Sequence, residues 1–224
     1  GLDSSGLVAG VALIQDDVLI AEYTTNYKKT HSQTLLPMLD ELRRMVDLDL
    51  KSIDLIAVAA GPGSFTGLRI GSATAKGLGL ALDIPLAAVP TVDALAYNLY
   101  GCEQLICPMM DARRGQVYTG IYTFVNGEMQ VIQEQCAISV EELVGRLKEE
   151  CKKYGKKVVL LGDGVPVYRE KVQEILQGQC EFAPASCNRQ RAACVAVLGQ
   201  SLAAAGKTVS SDDFAPEYLR MSQA

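Results

Sequence analysis

The sequence predicts two similar lobes, each with α-helices packed on a mixed β-sheet. An order of three strands, a helix, a strand and a helix appears in the first half of the chain and returns in the second. In each half a buried strand ends in a Gly-x-Gly turn, at 61–63 and at 162–164. The chain has 224 residues, 49% of them hydrophobic and 21% charged, which is sufficient for two lobes with a core each.

The first half opens with a short strand that carries Asp3, followed by a hairpin. The next segment, HSQTLLPMLDELRRMV, places four apolar residues on one helical face: Leu35, Leu39, Leu42 and Val46. We expect Ser32 or Thr34 to cap this helix, because Pro37 is tolerated only in a first turn. A buried strand, a long helix that ends near Leu82, a short strand and a further helix complete the half.

The second half repeats this order. A strand with Asp111 is followed by a hairpin that turns at Asn126-Gly127, by a helix that Ser139 caps, and by another buried strand. A late helix and a polar tail follow. We therefore expect a first lobe over residues 1–100, a smaller second lobe over residues 101–205 and a tail over residues 206–224.

Composition argues against several classes of protein. The net charge is -5, whereas a protein that holds RNA by itself usually has a basic face. No apolar run approaches the ~18 residues of a membrane span, and no export signal is visible, so we expect a cytoplasmic protein without membrane contact. The seven cysteines lack CxxC spacing and are interpreted as reduced thiols rather than zinc ligands.

The motif GPGSFTGLRIG, residues 61–71, lies between a strand and a helix, where phosphate-binding turns occur. No Lys follows Gly67, and the glycine spacing does not match the dinucleotide-binding pattern. Ser64 or Thr66 is placed to cap the helix instead.

Small residues recur every four positions along this helix, which predicts a shallow groove for a closely packed neighbour. The groove is formed by Gly67, Gly71, Ala75 and Gly79, and a second row beside it by Ala73, Gly77 and Ala81. A close neighbour would offset the cost of about 1 kcal/mol for each interior glycine. The spacing leaves open whether that neighbour belongs to this chain or to another.

Five motifs in order, LDSSG, HSQTLLPML, GPGSFTGLRIG, DARRGQVY and PEYLR, resemble the bacterial TsaB family, also called YeaZ and once labelled glycoprotease. The two lobes, each opening with an Asp-bearing hairpin, are similar to the actin/Hsp70/sugar-kinase superfamily. The resemblance covers nearly the whole chain and implies an α/β fold of duplicated actin-like (RNase H-like) lobes with mixed sheets.

The resemblance implies a non-catalytic scaffold or activator subunit of the machinery that makes threonylcarbamoyladenosine in tRNA. Its partner would be TsaD, which transfers the threonylcarbamoyl group, and TsaE would join a larger complex. It also implies a homodimer when the chain is alone, tRNA contact mainly through partners, and no metal. We expect no cofactor, and keep ATP or ADP at the partner interface as an alternative.

In this family the first two helices pack against the same pair from another subunit. The matching residues are Leu35, Met38, Leu39, Leu42, Met45, Gly61, Gly63, Ser64, Phe65, Thr66, Gly67, Leu68, Arg69, Gly71 and Ala75. On this interpretation, Gly71→Leu would abolish association and leave the monomer folded.

Two further sites follow from the resemblance. A vestigial phosphate site would comprise Asp3, Ser4, Ser5, Asp111, Arg113 and Arg114; we interpret it as vestigial because the sequence has no Gly-Gly pair. The tail residues Tyr218, Leu219 and Arg220 either dock on a partner or fold over their own lobe.

Two enzymatic alternatives remain at this stage. One is a small nucleotide-dependent kinase or hydrolase that uses Asp3 and Asp111. The other is a metallopeptidase, which is disfavoured because the HxxxH pair of TsaD relatives is incomplete: Leu35 stands four residues after His31, the one histidine of the chain.

Overall fold

The structure, a computed structural model, describes residues 1–27 and 29–219 and divides into two units. The first unit comprises Gly1–Ala94 and the described residues from Gln190 to Leu219, and the second comprises Leu95–Arg189. The predicted boundaries are therefore wrong, because the late helix and the tail belong to the first unit. In the described ranges, no helix is both long enough and apolar enough to cross a membrane.

The first unit is built on a five-stranded mixed sheet with the order β3-β2-β1-β4-β5. Its strands are β1 (Leu2–Asp3), β2 (Ala9–Gln15), β3 (Val18–Thr25), β4 (Ile56–Gly61) and β5 (Leu86–Pro90). Its helices are α1 (His31–Met45), a short 3₁₀ helix (Leu50–Ser52) and α2 (Phe65–Leu82), and α3 (Thr91–Tyr97) spans the boundary between the units. β1 pairs antiparallel with β2 and parallel with β4.

The second unit has a five-stranded sheet with the order β10-β9-β6-β7-β8. Its elements are β6 (Leu105–Asp111), β7 (Gln116–Val125), β8 (Glu128–Ser139), α4 (Val140–Tyr154), β9 (Val158–Leu161), α5 (Val165–Leu176) and β10 (Cys180–Phe182). Written in reverse, β8-β7-β6-β9-β10, this order matches that of the first sheet strand for strand. The match confirms the predicted duplicated α/β lobes. The second sheet has five strands like the first, because α5 and β10, which the sequence motifs did not indicate, correspond to α2 and β5.

The last helix, α6 (Ala192–Ala204), packs on the first sheet. Its buried Val195 forms a core cluster with alanines of β4 and β5. A Cβ atom on Gly199 would clash with the Cβ atom of Ala57, so helix and sheet approach each other closely. This contact places α6 in the first unit rather than in the predicted second lobe.

The predicted helix starts are partly confirmed. Ser64 caps α2, with the amide of Gly67 donating to its Oγ over 3.3 Å, and Ser139 caps α4. The expectation for α1 is wrong: this helix begins at His31, no side chain caps it, and Pro37 lies inside it. The N-cap position is Thr30, which precedes both predicted caps, and the His31 Nε2 lies within hydrogen-bond distance of the Gly6 carbonyl oxygen, at 2.8 Å.

The first row of small residues on α2 faces the core of its own unit. A Cβ atom on Gly71 would lie 2.6 Å from the Ser4 Oγ, and one on Gly79 would clash with Leu86. Ala75 is completely buried. The sheet of this chain is thus the neighbour that offsets the stability cost of these glycines. Gly71→Leu should therefore disturb the fold, whereas the sequence led us to expect a folded monomer that no longer associates.

We predict opposite effects for alanine at two glycines of α2. In Gly67→Ala the new Cβ would clash with the Ser4 carbonyl oxygen, so the free energy of unfolding should fall by about 2 kcal/mol. Gly77→Ala is the matched control: no atom lies within 4 Å of its Cβ position, so stability should rise by up to about 1 kcal/mol. Urea denaturation measures both, and equal effects of the two substitutions would contradict the packing described.

Candidate partner-binding surface

The glycine turn before α2 is attached to the backbone of the β1 hairpin. The Ser64 amide donates to the Ser5 carbonyl oxygen over 2.7 Å, and the Ser4 hydroxyl donates to the Gly67 carbonyl oxygen over 2.9 Å. Side chains at Gly63 or Gly67 would clash with the Ser5 and Ser4 carbonyl oxygens. The glycines of the motif therefore allow one backbone segment to pack directly on another.

Asp3, Ser4 and Ser5 of the predicted phosphate site are all buried in the first unit. The Asp3 Oδ1 accepts hydrogen bonds from the Ser5 amide (2.8 Å) and the Ser5 hydroxyl (2.6 Å). Its Oδ2 has no hydrogen-bond partner among the described residues, and burial raises the pKa of this carboxyl. The polar groups of the hairpin are thus used mainly for internal bonds.

Asp111, Arg113 and Arg114 of the same predicted site form a turn in the second unit. The Arg113 amide donates to the Asp111 Oδ1 over 2.9 Å, and the Arg113 guanidinium forms an ion pair with the same carboxylate at 3.2 Å. Both arginines have positive φ, 64° and 58°, an unfavourable conformation for a residue with a side chain. A phosphate site that combines this turn with the β1 hairpin stays a prediction.

Part of the predicted partner surface is core. The structure buries the following residues inside the first unit: Leu35, Leu42, Gly61, Gly67, Leu68, Gly71 and Ala75. Met38, Leu39 and Gly63 are half-buried. These buried residues pack inside their own unit, so the interface stays a prediction that we carry forward for the exposed residues.

The rest of the predicted surface is exposed, namely Met45, Ser64, Phe65, Thr66 and Arg69. The structure adds exposed residues that the prediction did not include: Leu36 and Leu80, and the second small-residue row Ala73, Gly77 and Ala81. Leu80 is 72% exposed and Leu36 is 55% exposed, which is high for leucine. The second row was visible in the sequence, but spacing alone did not show which row faces outward.

The tail meets the start of α2. The centres of the Tyr218 and Phe65 rings are 5.1 Å apart. The Arg69 guanidinium also contacts the Phe65 ring, with its Cζ atom 5.3 Å from the ring centre. The Glu217 amide donates to the Ala60 carbonyl oxygen over 2.7 Å, and Phe214 is buried in the core. Up to Leu219 the tail folds over its own unit; Arg220 lies outside the described residues.

No group of three or more His, Cys, Asp or Glu side chains in the described part of the chain is arranged to hold a metal ion. His31 is engaged with Gly6 through Nε2, while its Nδ1 is buried and has no hydrogen-bond partner there. The buried thiols of Cys107 and Cys194 have pKa values raised to about 12 by burial, so they stay protonated at neutral pH.

The buried Asp3 predicts a pH-dependent stability. Because the pKa of Asp3 is raised in the folded state, stability should fall as pH rises above the unfolded pKa of about 4. Asp3→Asn keeps the Oδ1 acceptor without a charge, so its stability should fall less between pH 4 and pH 8 than that of the parent chain. Thermal denaturation between pH 4 and pH 8 measures the difference.

The exposed Asp17→Asn is the control for this experiment and should leave the pH dependence unchanged. If Asp3→Asn lowered stability equally at every pH, the charge on Asp3 would have no cost and the interpretation would be wrong.

Sequence and structure comparisons identify relatives along the whole chain. A family model described as TsaD: tRNA N6-adenosine threonylcarbamoyltransferase matches residues 18–224. The tRNA threonylcarbamoyladenosine biosynthesis protein TsaB of Bacillus subtilis (strain 168) is 34% identical over 223 residues, covering 100% of this chain and 94% of the relative. The protein of the same name from Escherichia coli (strain K12) is 28% identical over 225 residues, covering 98% and 93%.

Two solved structures from Pseudomonas aeruginosa are similar over nearly their full length. YeaZ superposes with a TM-score of 0.76 at 26% identity, covering 97% of each chain. An uncharacterised protein with similarity to peptidase YEAZ superposes with a TM-score of 0.78 at 26% identity, covering 98% of this chain and 97% of the other. The chain therefore belongs to the TsaB (YeaZ) family of tRNA threonylcarbamoyladenosine biosynthesis proteins.

Proposed function

We propose that this chain is a non-catalytic subunit that binds a TsaD protein through the outer faces of α1 and α2 and holds it in an active arrangement. The observation that carries the proposal is an exposed row of small residues, Ala73, Gly77 and Ala81, on a helix whose inner face is already packed. Its relatives are named for threonylcarbamoyladenosine biosynthesis in tRNA, which supports a role in that pathway.

Gly77 is the residue that core packing does not explain. Gly67, Gly71 and Gly79 have atoms of their own unit where a side chain would be, whereas Gly77 has open space. An exposed glycine inside a helix costs about 1 kcal/mol relative to alanine. A helix of another subunit that approaches the backbone at Gly77 would offset this cost through dispersion contacts.

Large apolar side chains are also exposed on both helices. Leu36 and Met45 project from α1, Met45 being 66% exposed, and Leu80 projects from the last turns of α2. Phe65, 41% exposed, and Arg69 lie at the start of α2 with Tyr218 beside them. Aromatic, arginine and aliphatic side chains around a bare helix face are typical of a protein interface.

The β1 hairpin supports a scaffold rather than a kinase or hydrolase. Both donors of Ser5 are directed to the Asp3 Oδ1, and the Ser4 hydroxyl is directed to the Gly67 carbonyl oxygen. A phosphate or its metal ion would have to replace these buried bonds.

We further propose that TsaE joins the complex, that tRNA is contacted mainly through the partners, and that the chain alone forms a homodimer through the same faces.

We predict that Gly77→Leu weakens binding to the TsaD protein of the same organism at least about tenfold, because the side chain would keep the partner helix away. The variant should stay folded, since nothing lies within 4 Å of the new Cβ. Co-purification of the two proteins and titration by calorimetry measure the effect.

Gly145→Leu is the matched control. Gly145 is also an exposed glycine in a helix, α4, with no atom within 4 Å of its Cβ position, but it lies in the second unit. It should bind TsaD like the parent chain. Unchanged binding by Gly77→Leu, or an equal loss in both variants, would contradict the proposed surface.

A further inference from the structure

The exposed row of small residues on α2 continues to two large side chains at the start of the helix. In steps of four, the row comprises Phe65, Arg69, Ala73, Gly77 and Ala81, and all five are exposed. The last three have no side chain or a single methyl group. A partner helix that lies along this small-residue part therefore meets Arg69 where that part ends.

Arg69 has no ion-pair partner in the described ranges. Other arginines do form ion pairs with carboxylates, namely Arg43, Arg44, Arg113, Arg146 and Arg191. α2 itself contains no Asp or Glu, and a cation near the start of a helix gains nothing from the helix dipole. The fold of the first unit therefore does not account for a positive charge at this position.

The other charged residue of α2 is used inside the unit. The Lys76 Nζ donates to the carbonyl oxygens of Asp212 and Phe214, over 3.3 and 3.0 Å, and so holds the tail along the helix. The Arg69 guanidinium instead contacts the Phe65 ring. Contact with a ring face leaves the N–H donors of a guanidinium available for a carboxylate.

The Phe65 ring that supports Arg69 is itself held by the tail. Tyr218 packs on this ring, with 5.1 Å between the ring centres, and the Glu217 amide donates to the Ala60 carbonyl oxygen. The guanidinium is thus positioned before a partner binds, which lowers the entropy that is lost when an acidic side chain pairs with it.

We propose that Arg69 binds a carboxylate of the TsaD protein and determines which protein this surface accepts. The inference rests on the proposed function, because it concerns the same face of α2. A carboxylate is the group that the planar fork of a guanidinium matches, through two parallel N–H···O bonds. The partner helix that lies along the small residues would present this Asp or Glu near the start of α2.

A second copy of this chain satisfies Arg69 less well. Its α2 has no acidic residue, so two α2 helices in contact would bring like charges together. On α1, Asp40 is already paired with Arg43 and Arg44, and Glu41 is the exposed carboxylate that remains. Arg69 therefore favours TsaD over self-association.

The first test is calorimetric titration of TsaD with the parent chain, Arg69→Met and Arg69→Lys, at about 0.1 M and about 0.5 M NaCl. Arg69→Met removes the charge and keeps a flexible apolar side chain. It should weaken binding about tenfold at the lower salt concentration and show less salt dependence than the parent chain. Arg69→Lys keeps the charge and should retain the salt dependence.

Arg169→Met is the matched control. Arg169 is the fifth residue of α5, as Arg69 is the fifth of α2, and it is also exposed. Its Cζ atom lies 4.0 Å from the centre of the Phe182 ring. The variant loses the same kind of contact in the second unit, so it should bind TsaD like the parent chain at both salt concentrations.

The second test identifies the carboxylate. In the complex of Arg69→Lys with TsaD, a carbodiimide joins the introduced amine to a carboxylate in contact with it, with loss of water. Mass spectrometry then identifies the joined peptides. The peptide that contains position 69 should be joined to an Asp or Glu of TsaD.

Three results would overturn the inference. If position 69 were joined to Glu41 of a second copy, or if Arg69→Met weakened self-association as much as TsaD binding, the acid would come from the chain itself. If Arg69→Met changed neither affinity nor salt dependence while Gly77→Leu weakened binding, the inference would fail and the proposed function would stand. If neither variant had an effect, both would fail.

Discussion

The direct packing of the glycine turn on the β1 hairpin is the constraint on which the rest of this unit depends. Gly63 and Gly67 bring the start of α2 against the carbonyl oxygens of Ser5 and Ser4, at a distance that no side chain permits. This contact fixes the rotation of α2 about its axis. Gly71 and Ala75 consequently face the sheet, and the row that includes Gly77 faces outward. The partner surface that we propose is thus a consequence of how the core is packed.

The fold class could be predicted because its signals are local. A hairpin turn such as Asn126-Gly127, or a buried strand that ends in Gly-x-Gly, is visible within ten residues, and the order of such signals repeats. The unit boundaries could not be predicted in this way. α6 is apolar around much of its surface, and its sequence does not indicate that Gly199 packs on Ala57 of the first sheet rather than on the second sheet, whose last strand precedes α6 in the chain.

The candidate site was predicted in part, for a similar reason. Four-residue spacing identifies a helix face that packs closely, but it does not say whether the sheet or another protein covers that face. α2 carries two such rows, and the structure assigns the inner one to the core. The contact between Phe65 and Tyr218 joins residues from distant parts of the chain, so no pattern within a short window indicates it. Likewise, the sequence does not show that Asp3 is buried and that its carboxylate accepts hydrogen bonds from Ser5, because residue spacing does not indicate burial.

The most direct test of the central claim is hydroxyl-radical footprinting of this chain with and without TsaD, read by mass spectrometry residue by residue. The account predicts that Leu36, Met45, Phe65 and Leu80, which are exposed in the free chain, lose reactivity in the complex. Val18 and Leu19 on the edge strand β3, and Val167 in the second unit, are also exposed and should stay reactive. Protection of β3 or of the second unit, with α1 and α2 unchanged, would contradict the account.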